Sequence, residues 1–285
     1  MKQSLLNLLF STIAFLIAYS IALLTGLQVV QQAVLIAFLI QWILFVPAFI
    51  YQTEKFYDLA GSATYISVVC YISLQSDFVT NINIGSLLLA SFIILWAVRL
   101  GSFLFTRIQK SGEDKRFNTI KPSPTRFLMA WTFQGMWVSI CSMCALAAIA
   151  SKNGVVLNAY FYIGILVFIA GFVFEIIADS QKSAFRKNPV NKDQFIAHGL
   201  WAYSRHPNYF GEITLWFGIS IMSFSSLSGW QYITLISPLF TYILLVYISG
   251  VRILEISGKE KWGHLESYQK YIRTTPSLFP FSKLF

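Results

Sequence analysis

The stretch His198-Gly-Leu-Trp-Ala-Tyr-Ser-Arg-His-Pro-Asn-Tyr-Phe-Gly-Glu-Ile-Thr-Leu-Trp216 gathers donors, acceptors and charge at the point where a basic loop gives way to an apolar helix. Ser204, Arg205, His206, Asn208, Tyr209 and Glu212 all fall within it. Pro207 marks the junction: a fixed φ and a missing N–H suit the first turn of a helix, so a helix is expected to start near Pro207 and to run through Tyr209 to Phe224. Asn208 and Glu212 then lie one turn apart on the same face.

Working outward, the chain is mostly lipid-compatible. Of its 285 residues 56% are hydrophobic and 12% charged, and the mean hydropathy is +0.63. A soluble globule needs more polar surface than this, so the composition predicts an all-α, polytopic membrane bundle. Spanning takes about 20 apolar residues, and runs of that length occur at Leu5–Leu24, Val30–Tyr51, Ile84–Phe105, Phe127–Ala150, Ala159–Ala178 and Trp230–Ile253. Two shorter runs, Gly61–Leu74 and Tyr209–Phe224, bring the expected count to eight spans, or seven if the Gly61 run is re-entrant. The first run, with only Lys2 ahead of it, reads as a retained signal-anchor.

The net charge of +9 is a matter of topology and not of nucleic acid. Lys2, Lys55, the Arg107–Arg126 loop, the Lys182–Arg205 loop and the Lys259–Lys283 tail fall on one side, and Lys152 alone opposes them. The positive-inside rule makes that side cytoplasmic and puts both termini there. The sequence reads as one domain over residues 1–285, placed in a bacterial inner membrane or, in a eukaryote, the endoplasmic reticulum. Cys70, Cys141 and Cys144 lie in apolar runs and read as packing residues.

Several polar groups stand out against this background. Tyr51–Gly61 is a short polar loop in which Glu54 reads as a solvated turn, whereas Tyr57 and Asp58 are candidates for chemistry. Arg99 lies roughly two turns inside the end of its run and needs a partner. Residues 108–126 read as a mobile basic segment facing an anion or anionic lipid. Glu175, Asp179, Lys182 and Arg186 recur at helical spacing and predict one polar face on a continuing helix. With only three histidines, His198, His206 and His264, a di-iron site is excluded, and no metal is expected. His206 reads as a hydrogen-bonding residue.

At Gly199–Glu212 the sequence resembles the membrane steroid 5-alpha-reductase and sterol reductase superfamily, in its bacterial-type branch carried as a domain of unknown function. The likeness extends from about Phe56 to Pro280, through Phe56-Tyr-Asp58-Leu-Ala-Gly61, Trp96-x-x-Arg99-Leu-Gly101, Gly112–Phe117, Asp179-Ser-Gln-Lys-x-x-Phe-Arg186, Glu255 and Tyr268-x-x-Tyr271. The resemblance implies a helical bundle that binds NADPH and saturates a carbon–carbon double bond of a lipid or steroid-like substrate. Lys182, Arg186 and Arg205 would then meet phosphate. Trp201 and Tyr203 would offer flat faces to adenine. Asn208 and Tyr209 would hydrogen-bond ribose or carboxamide and His206 the cofactor or backbone, with Asp179 and Glu212 accepting from hydroxyls or orienting the arginines. No GxGxxG occurs, so the cofactor site is not of Rossmann type.

The family's substrate-side tyrosine aligns with Trp96, whose indole N–H is a poor proton source. Enone reduction needs hydride at the β-carbon and an acid at the carbonyl oxygen, so the donor is sought at Asp58, acting directly or by orienting Tyr57. Short Arg-His-Pro-x-Tyr segments also occur in membrane methyltransferases that use S-adenosylmethionine on isoprenylated cysteine or phospholipid amines. Methyl transfer, or lipid binding without catalysis, therefore stands as the alternative.

Overall fold

Several helices begin where a local signal places them. Asn83 caps α4 (Ile84–Ser111) by accepting the Ser86 N–H at 2.7 Å, and Ser123 precedes α5 (Pro124–Ile149) with Pro124 in its first turn. Asn158 accepts from the Phe161 N–H, 3.2 Å away, at the start of α6 (Ala159–Lys187). Ahead of these lie α1 (Lys2–Leu24), α2 (Gln28–Ile50) and α3 (Tyr57–Gln75), and after them α7 (Pro207–Phe224), α8 (Ser237–Ile243), α9 (Val251–Trp262) and α10 (Glu266–Thr274). The computed structural model describes residues 2–75 and 83–280, so Lys283 of the basic tail lies outside the described residues.

Among the described residues there are no strands. Six helical segments among the described residues are long and apolar enough to cross a membrane: α1, α2, α4, α5, α6 and the stretch Gly229–Trp262. The two short runs that raised the expected count to eight do form helices, α3 with 19 residues and α7 with 18. Both open on polar side chains, Tyr57 and Asp58 in α3 and Asn208 and Glu212 in α7, and neither belongs to the six.

The chain divides into two compact units. One runs through Phe161 and includes Met222–Ser237; the other comprises Tyr162–Ile221 and the chain from Pro238 onward. In the first unit α5 packs against α1, α2, α3 and α4. Its residues from Val138 to Ile149 are all buried, as expected of a helix apolar all round. Polar side chains tie the helices across their interfaces: Gln41 Nε2 donates to Thr64 Oγ1 at 2.8 Å and Trp42 Nε1 to Thr132 Oγ1 at 3.0 Å. Trp96 is fully buried, edge-on to Tyr65 with ring centroids 5.1 Å apart.

The loop between α4 and α5 is not the loosely held segment its charges suggested. Glu54 is 4% exposed and accepts the Asp114 N–H at 2.8 Å, while Lys121 pairs with its other oxygen. Phe117 packs onto Tyr57, centroids 4.9 Å apart, and onto Phe127. Burial opposes ionisation of Glu54, but the bonds from Lys121 and the Asp114 N–H outweigh it and hold the carboxyl below its usual range. Glu54 is thus a buried clasp where a solvated turn was expected.

In the second unit α6 and α7 run antiparallel with their backbones in close approach. A Cβ on Gly171 would sit 2.5 Å from the Leu215 nitrogen, and one on Gly211 2.7 Å from the Glu175 nitrogen. A heptad further on, a Cβ on Gly218 would meet the Phe168 nitrogen at 2.5 Å. This seam of glycines sets Glu175 of α6 beside the residue preceding Glu212 of α7, and both carboxylates are buried.

The last apolar stretch is not one regular helix. Gly229–Ile236 is a 3-10 segment, α8 follows, Leu244–Ile248 winds as a π-turn, and the chain breaks at Ser249 and Gly250 before α9. Gly250 is required there: a Cβ would lie 2.4 Å from the Leu245 carbonyl oxygen and 2.8 Å from the Tyr209 ring.

Candidate functional site

The His198–Glu212 stretch is built onto the end of α6 by a few backbone contacts. Gln181 Oε1 accepts the Leu200 N–H at 2.9 Å, and Gly199 adopts φ +61°, where any side chain would strike the Gln181 amide. Trp201 is 3% exposed; its indole N–H donates to the Ala178 carbonyl at 3.0 Å, and its own carbonyl accepts from the Tyr271 hydroxyl at 2.7 Å. The Lys182 ammonium stands 4.4 Å from the centroid of that indole. The contact both desolvates and orients the cation.

Next in the chain, Ser204 Oγ donates to the Leu278 carbonyl at 2.7 Å and accepts the His206 N–H at 3.2 Å, which shapes the entry into α7. The Arg205 guanidinium is spread over four acceptors. Nε and Nη2 reach the Glu255 oxygens at 2.9 and 3.1 Å, and Nη1 donates to the carbonyls of Ile272 and Thr275 at 2.8 and 2.6 Å. The Arg205 backbone N–H adds a bond to the Pro276 carbonyl at 2.9 Å. The arginine therefore straps α9, α10 and the segment after them to the start of α7.

Glu255 takes a third donor. His206 Nε2 lies 2.9 Å from the oxygen that Arg205 Nε also contacts. Burial pushes the imidazole below its ordinary value, against the pull of Glu255 and with the help of Lys182 and Arg205. The ring stacks parallel to Tyr209 with centroids 5.8 Å apart, and Tyr209 in turn covers Gly250. His206, Arg205, Glu255 and Lys182 thus form one electrostatic cluster.

Of the residues singled out for a cofactor, Lys182, Trp201, Arg205, His206 and Tyr209 are joined by these contacts. Asp179 and Glu212 are buried, Lys182, Arg205, Asn208 and Tyr209 are half-buried, and Trp201 and His206 are buried. Arg186 and Tyr203 stand exposed, with Arg186 in the last turn of α6. Tyr57 and Asp58 belong to the first unit. The Tyr57 hydroxyl donates to the Ala130 carbonyl at 2.9 Å, and its ring sits edge-on to Trp131. Asp58, in the first turn of α3, lies 3.7 Å from Arg107.

Glu255 was not among the expected site residues. Its signal was present: between Glu212 and Glu255 the sequence holds no other carboxylate and a single charged residue, Arg252, and an acid closing so apolar a stretch calls for a partner.

Fold and site define an all-helical protein with the helices of an integral membrane protein and a polar, charge-paired cluster in its second unit. The chain belongs to the family described as "Protein of unknown function (DUF1295)", which it matches over residues 44–275. It is also 30% identical over 102 residues to a protein of Ustilaginoidea virens named "Probable O-methyltransferase ustE", covering 30% of this chain and 36% of that relative's length. No solved structure matches.

Proposed function

We propose that the chain is a membrane oxidoreductase whose second unit binds NADPH and which saturates a carbon–carbon double bond, of enone type, in a lipid or steroid-like substrate. The observation that carries the reading is the cationic end of α6: Lys182 is fixed over Trp201 at 4.4 Å, and Arg186 follows one turn later. Arg205 is committed to Glu255 and two carbonyls, and phosphate recognition is assigned to Lys182 and Arg186 for their charge and their place at the end of α6. Asp179, Asn208, Tyr209 and Glu212 would meet ribose and amide groups, and Tyr203, exposed, would offer its ring to adenine. Bound there, NADPH would supply the hydride. Asp58 is proposed as the proton donor, because the Tyr57 hydroxyl is engaged with Ala130. In this reading α3 and α7 complete eight spans, both termini are cytoplasmic, and the cofactor enters from that side.

Methyl transfer from S-adenosylmethionine is the second reading, supported by the name of the Ustilaginoidea virens relative. That cofactor carries no phosphate and offers the cationic end of α6 only its single carboxylate. Equilibrium binding to the detergent-purified chain separates the two. NADPH saturating with S-adenosylmethionine inert supports the reductase, and the converse supports the methyltransferase. Binding of neither leaves a lipid-binding protein without catalysis.

A further inference from the structure

His206 has one ring nitrogen engaged and one that is not. Nε2 faces Glu255 at 2.9 Å, while Nδ1 is buried and, among the described residues, has no hydrogen-bond partner. The side chain is 7% exposed, so bulk water does not reach that atom. A buried nitrogen in this state carries a desolvation penalty that a partner would remove.

The proton's place on the ring follows from the neighbours. Glu255 is held as a carboxylate by the two-point pair with Arg205, and a carboxylate only accepts. Nε2 must therefore be the donor. The groups facing the ring are Glu255, Arg205 and Lys182, and the two cations together with burial disfavour a second proton on it. The ring is left with its hydrogen on Nε2 and a lone pair on Nδ1. Tyr209, stacked parallel at 5.8 Å, fixes the plane in which that lone pair points.

We propose that Glu255 is a positioning residue: it locks His206 as the Nε2–H tautomer, so that Nδ1 accepts a hydrogen bond from a donor on the bound cofactor, a ribose hydroxyl or an amide N–H. Phosphate and carbonyl oxygens are themselves acceptors and would be repelled there. The ligand class rests on the reading that the second unit binds a nucleotide or nucleoside cofactor; the tautomer does not. His206 thus separates two ends of the site, with cations on α6 for anionic groups and a bare nitrogen for hydroxyl or amide.

The test is nitrogen NMR on the full-length chain in detergent, with histidine labelled by 15N. The His206 signals are assigned by their loss in His206→Gln; only His198 and His264 share the spectrum. Near neutral pH the expected state of His206 is neutral with the proton on Nε2. In Glu255→Leu the shared acceptor is removed and the Arg205 Nε–H is left beside Nε2, which favours a lone pair there and moves the proton to Nδ1. NADPH and S-adenosylmethionine are then added in turn. Whichever binds is expected to shift the Nδ1 resonance as an acceptor, and to bind Glu255→Leu about tenfold more weakly. A wild-type His206 that is doubly protonated or carries its proton on Nδ1 overturns the proposal. So does a folded Glu255→Leu protein with the tautomer unchanged, or an Nδ1 resonance indifferent to a saturating ligand. If Glu255→Leu does not fold, the wild-type tautomer and its response to ligand still decide. If neither probe binds, it is the nucleotide reading that fails, while the wild-type spectrum still judges the role of Glu255.

Discussion

Arg205 and Glu255 lie 50 positions apart in the chain and meet in a two-point ion pair, Nε to Oε1 at 2.9 Å and Nη2 to Oε2 at 3.1 Å. A lysine at 205 would keep the charge but lose the fork and the donors to Ile272 and Thr275. Arg205→Lys is therefore expected to destabilise the second unit by about 1.5–3 kcal/mol, close to the effect of Arg205→Ala. Thermal unfolding in detergent measures both. A lysine variant as stable as the parent would show that charge alone holds the strap.

The Glu54 clasp should respond to acid. Its carboxyl is held below the ordinary value of 4.5, so in the unfolded or opened state it binds a proton more readily than in the closed one. The stabilisation is complete above that ordinary value and is lost as the pH falls through the lower, folded value. Hydrogen exchange of the loop at Asp114–Lys121, corrected for intrinsic rates, should accelerate over that acid range. Glu54→Gln should exchange fast at neutral pH and show little further change on acidification.

The glycine seam admits no side chain. Gly171→Ala and Gly211→Ala place a methyl group 2.5–2.7 Å from backbone atoms of the facing helix, which cannot give way as a side chain would. Each is expected to cost about 1–3 kcal/mol or more, the penalty of overpacking, against little effect for Ser180→Ala on the exposed face of α6. Melting temperatures that leave both glycine variants with the parent would refute the close crossing.

Phosphate recognition by α6 is tested by Arg186→Ala. Loss of one charge-assisted contact is expected to weaken NADPH binding roughly ten- to hundredfold, equivalent to about 1.5–3 kcal/mol. Asp58→Asn is expected to bind NADPH as the parent does and to lose turnover on a reducible lipid. Unchanged affinity in the first variant, or unchanged turnover in the second, removes that residue from its role.

The sequence made some of this plain and hid the rest for identifiable reasons. Pro207 after a polar loop located the start of α7, and the spacing of Glu175, Asp179, Lys182 and Arg186 carried α6 on to Lys187, because both signals are local. Glu54 and Glu255 were legible as charges but not as partners, since what they hold lies 60 and 50 positions away and periodicity reports only neighbours along one helix. The break at Ser249–Gly250 was masked by hydropathy: an apolar run scores alike whether it winds as a 3-10, α or π turn. The seam of Gly164, Gly171, Gly211 and Gly218 was visible as matched heptad spacing on two helices, yet its meaning depends on their pairing.

That break also decouples rotational phase. In an uninterrupted α-helix one inserted residue turns everything beyond it by about 100°, which would swing Glu255 away from Arg205. Here the ladder of hydrogen bonds is interrupted at Ser249 and Gly250, and α9 takes its bearing from Arg205 and His206 instead of from α8. Length changes in the apolar segment before Ser249 can be absorbed at the break, so the azimuth of Glu255 is free to stay constant while the part of the chain ahead of it drifts.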